Sequence, residues 1–116
     1  MSDVTLFHNP SCSKSRAALE LLESSGTQFE TVHYLKNPPD RERLEHIVQC
    51  VGGDPAALVR DDSFARELGI DRLTLNDSTR VIELLLEHPR LLERPIVLNG
   101  AQGAIGRPLS NIQAIL

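Results

Sequence analysis

The strongest constraint on the fold lies in the first fifty residues, where two strand signals alternate with two helix signals. Val4 to Phe7 reads as a short strand. The loop His8-Asn9-Pro10-Ser11 hands it to a helix in which Ala18, Leu21 and Leu22 recur at helical spacing until Gly26 stops the pattern. Phe29 to Tyr34, rich in Thr, Val and aromatic residues, is a second strand, and Asn37-Pro38-Pro39-Asp40 breaks it before a helix carrying Leu44, Ile47 and Val48. A β-α-β-α beginning commits the chain to an α/β architecture and sets Cys12 where a strand gives way to a helix.

Asp54-Pro55 reads as an N-cap followed by Pro at the first helical position, so a short helix through Ala57 and Leu58 ends near Arg60. Another short helix is predicted over Ser63 to Leu68, stopped by Gly69. A long one runs from Asn76 or Asp77 to His88, stopped by Pro89, and its Val81, Ile82, Leu84, Leu85 and Leu86 leave little polar face, which buries it. After Arg94-Pro95, Ile96 to Leu98 is a strand, Asn99-Gly100 is a hairpin signal, Ala104-Ile105 begins the return strand, and Arg107-Pro108 opens a last helix with Ile112, Ile115 and Leu116. The order β-α-β, helices, β-β-α is that of a thioredoxin-like fold: a four-stranded mixed sheet with an inserted helical region, expected as a single domain over residues 1–116.

Composition narrows the function classes. A formal charge of −4 and three Phe, one Tyr and no Trp argue against a nucleic-acid footprint, which needs clustered basic residues or stacking platforms. The N-terminus MSDVTLFHNP has no basic segment followed by a long apolar run, and no stretch has the length of a membrane span, so a soluble cytoplasmic protein is expected. Ten of the twelve basic residues are Arg, a bias that favours forked hydrogen bonding to oxyanions. Cys12 and Cys50 form neither a disulfide framework nor a C-x-x-C pair, and both rest as thiols in a reducing compartment.

Cys12 is the candidate nucleophile. At a helix N-terminus a cysteine faces unpaired backbone N–H groups and the positive end of the helix dipole, both of which favour the thiolate. Ser11, Ser13 and Ser15 surround it with hydroxyls, and Lys14 and Arg16 add positive field. The alternative is a buried structural thiol. Thiol-phosphatase chemistry is excluded because Ala18 stands where its loop needs Arg, and Gly100, Gly103 and Gly106 match neither a dinucleotide fingerprint nor a P-loop, so they read as turn and bulge residues. His46 and Cys50 are spaced as a zinc half-site without a second pair, so no metal is expected and Cys50 reads as a small core residue. His33 and His88 read as structural or capping residues, and Arg16, Arg66, Arg72, Arg80 and Arg90 as surface charges.

His8-Asn9-Pro10-Ser11-Cys12 with Ser15-Arg16, then His33-Tyr34-Leu35 before Pro38-Pro39, then Glu93-Arg94-Pro95-Ile96-Val97 with Gly106-Arg107-Pro108, resemble the glutaredoxin-linked arsenate reductases of bacteria, and in particular their shorter YfgD-like branch. The resemblance implies that Cys12 is the nucleophile and that Arg60, Arg94 and Arg107 gather the substrate oxyanion. It implies supporting roles for His8, which tunes Cys12 or its neighbours or makes a structural hydrogen bond, for Ser15, which stabilises the thiolate, and for Pro95, at a cis Arg94-Pro95 bond. It also implies arsenate as substrate, no bound cofactor, and glutathione as co-substrate with a glutaredoxin as partner: Cys12 forms a covalent arsenate adduct, glutathione adds, and the glutaredoxin thiol resolves it. Two other readings share the fold. One is an Spx-like regulator of RNA polymerase, whose C-x-x-C switch is absent because Ser15 occupies its second position. The other is a glutathione-dependent thiol oxidoreductase that does not use arsenate.

Overall fold

The computed structural model describes residues 3–116. Four strands, β1 (Val4–His8), β2 (Phe29–His33), β3 (Ile96–Asn99) and β4 (Gln102–Ile105), form one mixed sheet in the order β2-β1-β3-β4. β1 pairs parallel with β2, Val4 opposite Phe29 and His8 opposite His33. On its other side β1 runs antiparallel to β3, which turns at Asn99-Gly100 into antiparallel β4. Gly100 takes φ of 62° at this turn, a left-handed conformation that glycine adopts without steric cost. The sheet and its surroundings are a thioredoxin-like fold.

Strand alternation divides the core in two. Val4 and Leu6 of β1 and Val97 of β3 face one side, where they pack with Ala18 and Leu22 of helix α1 (Ser13–Ser24) and Ile112 of the short helix α5 (Ser110–Gln113). Phe7, Ile96 and Leu98 face the other side. There they meet Leu44 and Ile47 of α2 (Arg41–Val51) and Val81, Ile82, Leu84 and Leu85 of α4 (Ser78–Glu87). The long apolar helix is thus buried as its sequence requires. Among the described residues no helix is long and apolar enough to cross a membrane.

The inserted region is held by short polar devices. Asp40, Asp54, Asp62 and Asp77 each accept a backbone N–H at a helix or 3-10 start, at 2.9–3.0 Å, a kind of cap that contributes about 1 kcal/mol. The predicted helix after Asp54 is a 3-10 turn, Pro55–Leu58, and α3 spans only Ser63–Glu67. An isolated bridge between Val59 and Leu92 then ties the insertion to the lead-in of β3, with Arg60 N donating to Leu91 O and Glu93 N to Leu58 O, both at 2.8 Å. Arg72 does not behave as a surface charge. Its half-buried guanidinium donates to the carbonyls of Ala56 and Val59 at 3.0 and 3.2 Å and fastens this crossing from beneath.

Two further sequence expectations change. Gly103 and Gly106 are required by close approach, not by a turn. A Cβ on Gly103 would lie 2.8 Å from Leu98 Cδ2 and 3.0 Å from Cys50 Cβ, and one on Gly106 would lie 2.8 Å from Pro95 Cγ. Cys50 is only half-buried, its Sγ 3.5 Å from Nε2 of exposed His46 and 3.8 Å from Gly100 O at the hairpin. It lies at the margin of the core, where Gly103 of β4 and the Gly100 carbonyl at the hairpin turn meet the end of α2.

Candidate oxyanion and thiol site

At the C-terminal end of β1 the chain folds back through a local hydrogen-bonded loop. Ser11 N donates to Asn9 Oδ1 and Cys12 N to Asn9 O, each at 3.0 Å, while Arg16 N donates to Cys12 O at 3.0 Å to close the first turn of α1. Cys12 is consequently the N-cap residue of α1, in extended conformation and 8% exposed. Burial pushes its thiol pKa up. The backbone N–H of Ser15, the Arg94 guanidinium and the backbone N–H of Lys14 outweigh that effect and hold it below the ordinary cysteine value.

Ser15 is fully buried, but its hydroxyl does not serve the sulfur. It lies 2.6 Å from His8 Nδ1 and accepts the Asn9 N–H at 3.0 Å. Ser15 meets Cys12 through its backbone, and its side chain braces the loop. Burial first, then the neighbouring His33 and Arg16, push the His8 pKa down. Its ring stands edge-on to His33, centroids 5.7 Å apart.

The arginines arrive from remote segments. Arg107 Nη2 lies 3.9 Å from Cys12 Sγ, and its Nε donates to Arg94 O at 2.8 Å, with Glu93 Oε1 at 3.5 Å. Arg94 precedes buried Pro95 across a cis bond, and Arg107-Pro108 is cis as well. A cavity of about 400 Å³ opens against Arg94 and Asn9, and Arg60 and Tyr34 also line it. Arg60 Nε is paired with Asp62 at 3.4 Å. The bridge at Val59 and Leu92 accounts for the presence of Arg60 on the same wall as Arg94. The structure therefore sets Arg94 and Arg107 against the Cys12 sulfur and Arg60 in the cavity that Arg94 shares.

Two buried polar atoms in this region, Arg94 Nε and the Tyr34 hydroxyl, meet no hydrogen-bond partner among the described residues. Buried donors of this kind are costly unless a ligand or water satisfies them, and guanidinium and hydroxyl donors suit an oxyanion. Burial pushes the Tyr34 pKa up against the pull of Arg94, so the hydroxyl remains a proton donor. Tyr34, expected as the end of the second strand and as part of the His33-Tyr34-Leu35 motif, instead follows β2, which ends at His33. Arg90, read there as a surface charge, lines the cavity too, and no local pattern around Pro89-Arg90 announces this. Among the described residues no group of three or more His, Cys, Asp or Glu side chains is placed to hold a metal ion.

Comparison with known proteins finds similarity over nearly the whole chain. The profile of the ArsC family matches residues 7–115. The chain is 47% identical over 119 residues to an arsenate reductase of Neisseria meningitidis serogroup B, covering all of both chains. It is 37% identical over 117 residues to an arsenate reductase of Escherichia coli K12, covering 100% of this chain and 82% of that one. Among solved structures, an arsenate reductase from Vibrio cholerae superimposes with a TM-score of 0.85 at 35% identity, covering 97% of each chain. On the profile match and the full-length similarity together, the chain belongs to the ArsC family.

Proposed function

We propose that the protein reduces arsenate to arsenite, with Cys12 as nucleophile and Arg60, Arg94 and Arg107 as the oxyanion site. The observation that carries this reading is the Cys12 sulfur, held toward the thiolate at the start of α1 with Arg94 and Arg107 against it. Relatives named arsenate reductase over the full length of the chain support the choice of anion.

In this reaction the Cys12 thiolate attacks arsenic, one arsenate oxygen leaves as water after protonation, and a Cys12–As(V) adduct forms. Arg94 and Arg107 neutralise its negative oxygens, a stabilisation stronger in a buried site than in water. A glutathione thiol then adds, displacing a second oxygen as water. The thiol of a glutaredoxin attacks the glutathione sulfur, which joins it as a mixed disulfide, and the bonding pair stays on arsenic, now As(III). Return of one water hydrolyses the Cys12–As bond and frees arsenite and the thiol. The net change converts arsenate and two thiols into arsenite, one disulfide and one water.

Ser15 and His8 act as positioning residues that hold the loop on which Cys12 is aimed. Pro95 fixes the backbone between Arg94 and β3. The test is arsenate reduction by the purified chain with glutathione and glutaredoxin, read as arsenite formed. Turnover that vanishes in Cys12→Ser supports the reading. No arsenite formation by the wild-type chain with both thiols present overturns it.

A further inference from the structure

We infer that the cavity against Arg94 seats the thiol co-substrate as well as the oxyanion, and that Arg90 holds a carboxylate of that thiol. The inference rests on the arsenate-reducing reading above.

The first observation is size. A tetrahedral oxyanion of five heavy atoms occupies on the order of 100 Å³, judged against roughly 30 Å³ for a water in the liquid. The cavity measures about 400 Å³, a volume typical of sites for whole small molecules. An anion held by Arg60 and Arg94 at the end nearest Cys12 leaves most of it open. Leu35, Asp62, Ser63 and Arg90 contribute to the remaining wall, with the Asp62 carboxylate paired to Arg60.

The second observation is charge. Arg60 and Arg107 already have carboxylate neighbours in Asp62 and Glu93. Among the described residues neither Arg90 nor Arg94 forms an ion pair. Arg94 is committed to Cys12, which leaves Arg90 as the cationic group available to a second anion.

The third is orientation. Arg90 Cζ sits 4.5 Å from the centroid of the Phe64 ring, and Phe64 is itself packed edge-on against His88 at 5.9 Å. Stacking uses a guanidinium face and leaves the in-plane N–H groups free for a carboxylate fork. An exposed arginine held in this way is already oriented for a ligand, with less side-chain freedom to lose on binding. The ligand class that fits is a small peptide-like thiol with a carboxylate, to which glutathione belongs.

The test uses Arg90→Gln and Arg90→Lys in the full chain. With glutaredoxin present, Arg90→Gln raises the KM for glutathione about tenfold, as for loss of one charge-assisted hydrogen bond, and leaves the arsenate KM unchanged. Arg90→Lys recovers only part of the loss because it lacks the fork. Binding of S-methylglutathione, which has no thiol, is followed separately by NMR titration of the resting protein and weakens by the same factor in Arg90→Gln. An unchanged glutathione KM, or an arsenate KM that rises as much, overturns the subsite and leaves arsenate reduction standing. Failure of the wild-type protein to bind S-methylglutathione overturns it too. A protein that binds S-methylglutathione through Arg90 yet does not reduce arsenate keeps the subsite and loses the reaction.

Discussion

Nη2 of Arg107 stands 3.9 Å from Sγ of Cys12, while Nε of the same guanidinium donates to Arg94 O at 2.8 Å. One planar group thus spans the sulfur and the backbone ahead of β3. A lysine carries the charge but cannot make both contacts at once. Arg107→Lys is expected to lower kcat for arsenate by on the order of 100-fold, the scale seen when one oxyanion donor is lost, with little change in urea midpoint because Arg107 is exposed. Near wild-type turnover in this variant would remove Arg107 from the reaction.

The Cys12 thiol is expected to titrate below the ordinary cysteine value, since backbone N–H groups and Arg94 outweigh burial. Alkylation rate therefore rises with pH and reaches its plateau earlier than for a free thiol. Arg94→Gln moves the midpoint upward. The same depression means that the thiolate contributes stability that is complete above the unfolded pKa and is lost as pH falls through the folded one. A wild-type midpoint at or above the free-thiol value would contradict the geometry.

Ser15→Ala separates bracing from thiolate stabilisation. The change leaves His8 Nδ1 and the Asn9 N–H buried without their partner, a loss of about 1–3 kcal/mol per group before any water enters. The denaturation midpoint should fall measurably while the Cys12 alkylation midpoint moves little, because the sulfur takes the Ser15 backbone N–H. A large shift in the thiol pKa at unchanged stability would place the hydroxyl on the sulfur instead.

Turnover should survive Cys50→Ala and require external thiols. Cys50 Sγ faces Gly100 O, and Gly100 N donates to Asp3 O, so Cys50 sits at the start of β1 and Cys12 beyond its end. Five strand residues at ~3.3 Å each put the two cysteines on the order of 15 Å apart, against the ~7 Å limit for Cα atoms of a disulfide. Mass spectrometry of the enzyme with arsenate and glutathione, without glutaredoxin, should find the adduct in which arsenic joins Cys12 to glutathione. A Cys12–Cys50 disulfide formed during turnover would replace this scheme with an internal relay.

Local physics made much of the fold legible in the sequence. Strand alternation, the Asp caps and the Asn99-Gly100 turn each act within a few residues, so the strands, the long buried helix and the position of Cys12 at the start of α1 follow from neighbours along the chain. The resemblance pointed to the arginines by position, but nothing local to Arg60 or Arg107 shows that one shares a cavity with Arg94 and the other approaches Cys12. That proximity depends on the Val59–Leu92 bridge and on the β3-β4 return, which join segments far apart in sequence. The same physical limit separated the remaining arginines into types only in three dimensions: half-buried Arg72 clamps three carbonyls and exposed Arg90 lines the cavity. It also turned the Ser15 hydroxyl toward His8 and made Gly103 and Gly106 points of close packing. A side chain's rotamer and partners are set by whatever packs against it, and for these residues the packing comes from elsewhere in the chain.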